Sequence, residues 1–484
     1  MLKILPVIHV LAKLIMLFSG IFAFPALVSW YYDDGTLPYF VRAAAASGIA
    51  GFLLWIATAR FERELKPKDG FILVTLLWIT FAVTACLPML FYLPGMSVTN
   101  AFFESMSALT TTGATTMQGL DRLPPSINFW RHFLTWLGGM GIIVLAVAVL
   151  PLLGIGGMQL YKAETPGPMK DNKLAPRIGQ TAKNLWYVYS ALTLACYACL
   201  LLAGMAPLDA LCHAFTAVAL GGFSTKDSSI SHFDSWQIEA VLCVFMVLAA
   251  MNFATHFLSW QRRSLKSYWH DIEARYVVLL LLGSILAMSL YLWWQQIYTF
   301  TTALRYVSFN LISVATDTGY ASTDYAQWPI FVPLWMLFLS CLTVSSGSTG
   351  GGIKMIRTLI LTRQGYREMS TLLHPKAVLP LKIGNRVIPE SVAFSVLGFI
   401  FVYFMSVVAF TFVLIGSGLD FITAFTASLA CINNIGPGLG QIGPTGNYAG
   451  LNDFQTWVCA LAMLVGRLEV FSVLILFTPT FWRK

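Results

Sequence analysis

Residues 100–113 read NAFFESMSALTTTG, and three later stretches repeat the plan: DALCHAFTAVALGG at 209–222, YVSFNLISVATDTG at 306–319 and TAFTASLACINNIG at 423–436. Aligned on their closing glycines, Gly113, Gly222, Gly319 and Gly436, they share an apolar residue seven positions earlier (Met106, Phe215, Ile312, Leu429) and another four earlier (Leu109, Val218, Ala315, Ile432). Twelve before the glycine stand Ala101, Ala210, Val307 and Ala424, and the residue six before is always small: Ser107, Thr216, Ser313, Ala430. Such spacings keep the apolar positions near one face of a short helix. The apolar segments 100–112, 209–221, 306–318 and 423–435 have 13 residues each. A bilayer span needs about 20, so these read as re-entrant helices that run into a glycine loop.

Around them the chain is built of long apolar runs. Of 484 residues, 57% are hydrophobic and only 11% charged, with a mean hydropathy of +0.72. A soluble domain carries about 25% charged residues. This composition excludes a soluble enzyme, a disordered chain and a nucleic-acid-binding domain, and predicts a polytopic membrane protein. Ten spans are expected, over 8–32, 39–59, 71–93, 128–153, 184–206, 236–260, 276–294, 328–360, 391–416 and 454–476. The first is too long for a signal peptide and ends in no small-residue cleavage site. The eight cysteines lie in apolar or pore-like segments and read as small buried residues.

Basic residues set the orientation. Segments 60–70, 154–183, 261–275 and 354–390 carry Arg60, Arg63, Lys162, Lys170, Lys173, Arg177, Arg262, Arg263, Lys266, Arg357 and Arg367 among others, and the chain ends in Arg483 and Lys484. All fall on one side if the spans alternate, whereas the opposite loops hold only Arg122, Lys226 and Arg305, with Arg42 and Arg131 at span edges. Both termini are then cytoplasmic, and all four re-entrant segments enter from outside.

The glycines recur at intervals of 109, 97 and 117 residues, each between two long spans. An all-α polytopic membrane protein follows, with four helix–pore helix–filter loop–helix repeats about a pseudo-fourfold axis, after two extra N-terminal transmembrane helices. The expected divisions are 1–70 for those two helices, then 71–160, 161–262, 263–372 and 373–484 for the repeats. Irregular backbone is tolerated at membrane depth only where it is buried in protein or lines a watery cavity. Four such loops can aim backbone carbonyls at one dehydrated cation, with glycine supplying the required backbone angles and the pore helices directing their C-terminal dipoles toward it. Close helix packing through small residues would explain one such loop; four in register favour a pore.

The loops TTTGAT at 111–116, LGGFST at 220–225, TDTGYAST at 316–323 and NNIGPG at 433–438 resemble those of the Trk, Ktr and HKT superfamily of cation transporters. The two leading spans and the length resemble the Trk-system potassium uptake proteins of the TrkH/TrkG type, over essentially the whole chain. The resemblance implies potassium as the transported ion, held by Thr111, Thr112, Gly113, Leu220, Gly221, Gly222, Asp317, Thr318, Gly319, Asn434, Ile435 and Gly436. In HKT-type relatives a serine at the first filter glycine goes with sodium preference, so Gly113 favours potassium. The departure of these loops from four identical TVGYG strands leaves a sodium-permeable or sodium- or proton-coupled symporter as the alternative. The Asp317 side chain is expected to turn away into a hydrogen-bond network rather than add negative field at the mouth.

Span 328–360 contains SSGSTGGG at 345–352, eight small residues that each weaken a helix relative to alanine. The readings are a passive kink and a gate; the length of the run favours a gate, in which Gly347, Gly350, Gly351 and Gly352 would move. Arg467 is the only arginine deep inside a span, where a charge costs about 2.5–3.5 kcal/mol and must face protein or water. The resemblance makes it part of the barrier below the filter. Lys354 is expected as a cytoplasmic anchor, and Glu104 and His213 as hydrogen-bonding residues behind the filter. With no Walker A loop or dinucleotide fingerprint, the chain is expected to be no enzyme and to bind no cofactor itself. The resemblance implies a homodimer among membrane lipids, docked on a cytosolic TrkA-type nucleotide-binding ring.

Overall fold

The computed structural model describes residues 4–144, 178–384 and 386–483. The end of the span expected at 128–153, the basic residues Lys162, Lys170, Lys173 and Arg177 and the 160/161 repeat boundary lie outside the described residues.

The chain starts with α1 (Leu5–Ser19) and α2 (Ala23–Tyr32), joined by a 3₁₀ turn at Gly20–Phe22, and returns through α3 (Leu37–Thr58). Helices α1 and α3 pack closely: a Cβ at Gly51 would sit 3.1 Å from the Ala12 carbonyl oxygen. The connection is pinned to the first repeat by Asp34, whose carboxylate accepts the Ser29 hydroxyl at 2.5 Å and the Ser126 N–H at 2.9 Å.

The first repeat comprises α4 (Pro67–Ala85) with its continuation α5 (Leu87–Tyr92), pore helix α6 (Val98–Leu109) and α7 (Pro125–Val144). In the second, α8 (Ile178–Leu202) and pore helix α9 (Pro207–Ala219) precede α10 (Trp236–Ala250) and α11 (Phe253–Arg262). A short α12 (Lys266–His270) leads to the third: α13 (Ile272–Trp294), pore helix α14 (Phe300–Ala315) and α15 (Phe331–Ser340). Helix α16 (Met355–Leu373) and a minimal antiparallel pair, β1 (Lys382–Ile383) and β2 (Arg386–Val387), connect to the fourth: α17 (Glu390–Gly416), pore helix α18 (Phe421–Asn433) and α19 (Asp453–Arg467). Two short helices, α20 (Phe471–Leu474) and α21 (Pro479–Trp482), close the chain.

Among the described residues, six helical segments are long and apolar enough to cross a membrane, and the chain is a multi-pass membrane protein. Three expected spans are not continuous helices. Residues 236–260 bend by 97° between α10 and α11, and 454–476 bend by 108° after α19. Between α15 and α16 the helix is lost from Cys341 to Lys354, a wider break than the eight small residues suggested. Apolarity measures how much of a segment avoids water, not whether its axis turns. At the first bend Asn252 caps a new helix by accepting the Ala254 N–H at 2.9 Å.

The pore helices also differ from the expected segments. Each begins two to six residues earlier, because Ser97, Thr299 and Asp420 act as N-caps and Pro207 occupies the first turn of α9. Each ends two or three residues sooner, because its last residues belong to the loop.

Candidate functional site

All four pore helices end in the same motif. The N–H of Thr112, Gly221, Thr318 and Ile435 donates back to the carbonyls of Ser107, Thr216, Ser313 and Ala430 at 2.8–2.9 Å. The preceding N–H groups of Thr111, Leu220, Asp317 and Asn434 donate to Ala108, Ala217, Val314 and Cys431 at 3.0–3.3 Å. These are the paired bonds of a Schellman cap, with the left-handed residue at the turn. Accordingly φ is +53° at Thr111, +53° at Leu220, +62° at Asp317 and +59° at Asn434. The small residue six before each glycine is the one whose carbonyl closes the cap.

Two residues on, φ is positive again, at +77° for Gly113, +59° for Gly222, +87° for Gly319 and +96° for Gly436, while the residue between keeps negative φ. Alternating hand turns successive peptide groups to face one way. The four loops also close on one another. A Cβ at Gly113 would strike the carbonyl oxygen of Gly221, one at Gly222 that of Thr318, and one at Gly319 that of Ile435. A Cβ at Gly436 would lie 2.6 Å from the carbonyl oxygen of Thr112. Each glycine thus makes room for the carbonyl before the glycine of the next repeat, and the fourth returns to the first. Of the twelve residues expected at the site, the four glycines and the residue before each close into one ring, and Thr111, Leu220, Asp317 and Asn434 make the left-handed turns that lead into it.

A polar shell holds each loop from behind. In the first repeat Glu104 accepts Arg131 Nε at 2.8 Å, the Thr115 hydroxyl at 3.0 Å and the Thr116 N–H at 3.2 Å. Arg131, expected at a span edge, is fully buried, with its guanidinium 4.3 Å from the Phe223 ring centroid in the second loop. His213 bonds Ser224 at 2.9 Å. Asn310 bonds both the hydroxyl and the N–H of Ser322, at 2.9 and 3.1 Å. Thr426 accepts the Leu439 N–H at 2.9 Å. The ion pair was missed by reading the sequence along spans; a signal for it is that Glu104 and Arg131 are opposite charges on consecutive apolar helices of one repeat.

The carbonyls four residues before the glycines face second helices in the first and fourth repeats and the irregular stretch after α15 in the other two. Gly138 of α7 leaves room for the Leu109 carbonyl and Gly466 of α19 for that of Ile432. Thr343 donates its hydroxyl to the Ala315 carbonyl, and Thr349 to that of Val218 at 3.1 Å.

The irregular stretch after α15 lies against the loops themselves. A Cβ at Gly351 would strike the Asn433 carbonyl, and one at Gly350 would sit 3.3 Å from Asp317 Oδ2. Gly347 and Gly352 have φ of +74° and +65°. Arg467 bridges this stretch to the first repeat, donating to the Thr349 carbonyl at 2.7 Å and the Gly138 carbonyl at 2.9 Å. Glu469, two residues on, pairs with Arg357 at 2.6 Å. One expectation is corrected here. Lys354 is buried, not a surface anchor, and its ammonium donates to the Gly350 carbonyl at 2.8 Å. The buried Asp317 side chain turns to the backbone of the same stretch, at Gly350 and Gly351. Among the described residues no group of His, Cys, Asp and Glu could hold a metal ion.

The chain matches the profile of the TrkH family, described as a cation transport protein, over residues 36–484. It is similar to the "Trk system potassium uptake protein TrkH" of Vibrio parahaemolyticus (46% identity over 99% of both chains) and of Salmonella typhimurium (44% over 98% of this chain and 99% of that one). It is also similar to the "Trk system potassium uptake protein TrkG" of Escherichia coli, at 39% identity over 99% of this chain and 98% of that one. The crystal structure of the potassium transporter TrkH from Vibrio parahaemolyticus superposes with a TM-score of 0.90, at 43% identity and 99% coverage of each chain. With its pore ring closed through four glycines and its likeness to these relatives along its whole length, the chain belongs to the TrkH family of cation transport proteins, which are transporters and not enzymes.

Proposed function

We propose that the chain takes up potassium across the bacterial cytoplasmic membrane, with both termini in the cytoplasm. The observation that carries this reading is the closed ring in which four glycines admit four backbone carbonyls. Such a ring can replace the water shell of a dehydrated monovalent cation. The names of the relatives support potassium as that ion, and the excess of basic residues on one side supports the orientation. Potassium enters from outside, binds at the twelve expected residues of the four loops, and is stopped below them by the 345–352 loop and Arg467. The membrane potential supplies about 2.3 kcal/mol per charge per 100 mV. The loop is the gate: a Cβ at Gly351 would strike the Asn433 carbonyl and one at Gly350 would crowd Asp317, so its glycines let it lie against the ring. The working unit is a homodimer on a cytosolic TrkA-type nucleotide-binding ring, a partner that reaches this chain by family likeness and by the basic cytoplasmic segments.

Rubidium and sodium flux into liposomes tests the reading, with the loop shortened so that the pore conducts alone. Rubidium uptake blocked by potassium but not by sodium, and less selective in Gly113→Ser, is the expected outcome. Equal sodium permeation in the unsubstituted filter would refute the potassium assignment in favour of a sodium pathway of the same fold.

A further inference from the structure

We propose that Glu273 is the latch that holds the intramembrane loop shut. Its role rests on the reading of 345–352 as the gate, and nothing about span length or loop charge singles it out. Glu273 lies in the first turn of α13, three residues before the expected start of its span, and is buried. One carboxylate oxygen, Oε1, accepts two backbone N–H groups at 3.0 Å each, those of Ser346 and Ile356. Ser346 is the second residue of the small-residue run and Ile356 lies in the first turn of α16 just past it. A single side-chain atom therefore gathers both ends of the loop, and it satisfies a helix-terminal donor that has no partner within α16. Drawing the ends together shortens the span available to residues 347–355, which keeps Gly350 and Gly351 pressed against Asp317 and Asn433.

The latch is mounted on the cytoplasmic elbow α11–α12–α13. Asp271 caps α13 by accepting the Glu273 N–H at 3.0 Å, and its other oxygen accepts the Thr255 hydroxyl of α11 at 2.6 Å. The bend before α11 is itself bonded to the loop: Ser345 N–H donates to the Ala250 carbonyl at 2.9 Å, and Phe253 N–H to that of Gly347 at 3.1 Å. The elbow carries Arg262, Arg263, Lys266 and Arg275. A cytosolic partner that shifts it would move Glu273 relative to the two N–H groups and release both ends at once.

The test separates reach from charge in the full-length protein reconstituted in liposomes without any partner, read as basal rubidium flux. Glu273→Gln keeps an acceptor oxygen at the same reach and should stay as quiet as the unsubstituted protein. Glu273→Asp keeps the carboxyl but withdraws the acceptor by about 1.5 Å, and should leak. Glu273→Ala should raise basal flux by about tenfold or more, as expected for losing two hydrogen bonds that favour one state of a two-state loop. If the alanine variant does not fold, the aspartate–glutamine comparison decides alone. A quiet aspartate variant beside a conducting loop-shortened control would overturn the latch, and so would a glutamine variant as leaky as the aspartate one. Silence of the loop-shortened control would instead remove the gate reading, and the latch with it.

Discussion

Thr111, Leu220, Asp317 and Asn434 hold left-handed backbone although each carries a Cβ. Such conformations cost on the order of 1–3 kcal/mol each and persist only where surrounding structure enforces them, which is why they concentrate at functional sites. Here the Schellman cap enforces them, and the closing glycines absorb the second left-handed step at no steric cost. The glycines bear a further constraint, since their missing Cβ is space occupied by the next repeat's carbonyl. Gly436→Ala should therefore do more than strain one φ. It should push the Thr112 carbonyl out of the ring and lower the ratio of potassium to sodium flux by about tenfold or more, equivalent to displacing a single coordinating oxygen worth about 1.4 kcal/mol. An unchanged flux ratio in a folded Gly436→Ala protein would contradict the ring.

At the scale of elements, each pore helix is held against the returning arm of its own loop by a polar side chain nine or ten residues before the glycine. The first repeat does this with a fully buried ion pair. Removing one partner of such a pair costs about 3–5 kcal/mol, because a lone charge is left out of water, whereas replacing both by apolar residues is often near neutral. Glu104→Met and Arg131→Leu should each lower the thermal midpoint of the detergent-solubilised protein strongly, and the two combined should recover most of the loss. If the double variant were as unstable as the singles summed, the pair would not be acting as a unit. The helix breaks belong to this scale too. The run of small residues at 345–352 announced one of them, but the turns at Met251 and Leu468 fall inside segments apolar enough to read as continuous spans.

For the whole molecule, the ring closes between Gly436 and Thr112 and between Asn434 and Thr112, whose side chains bond at 3.0 Å. A cation bound there ties together four repeats that are otherwise joined in sequence order. Binding to the folded state alone stabilises it by about 2.7 kcal/mol at 100 times Kd. Potassium and rubidium should accordingly raise the thermal midpoint of the intact protein while sodium at equal ionic strength does not, and Gly113→Ser should erase the difference. Equal protection by sodium would contradict a potassium-selective ring.

The four-repeat plan, the pore helices, the glycines and the broken third-repeat segment were legible in the sequence. Each is a local property: an apolar period of one short helix, a length below that of a span, a residue without a Cβ. The cyclic seating of each glycine on the next repeat's carbonyl, the Glu104–Arg131 pair, the inward turn of Asp317 and Lys354, and the gathering of both loop ends by Glu273 were not. Those depend on which atoms arrive within about 3 Å of one another in the folded chain, most of them tens to hundreds of residues apart, and a sequence records charge and size at each position but not the distance between two of them.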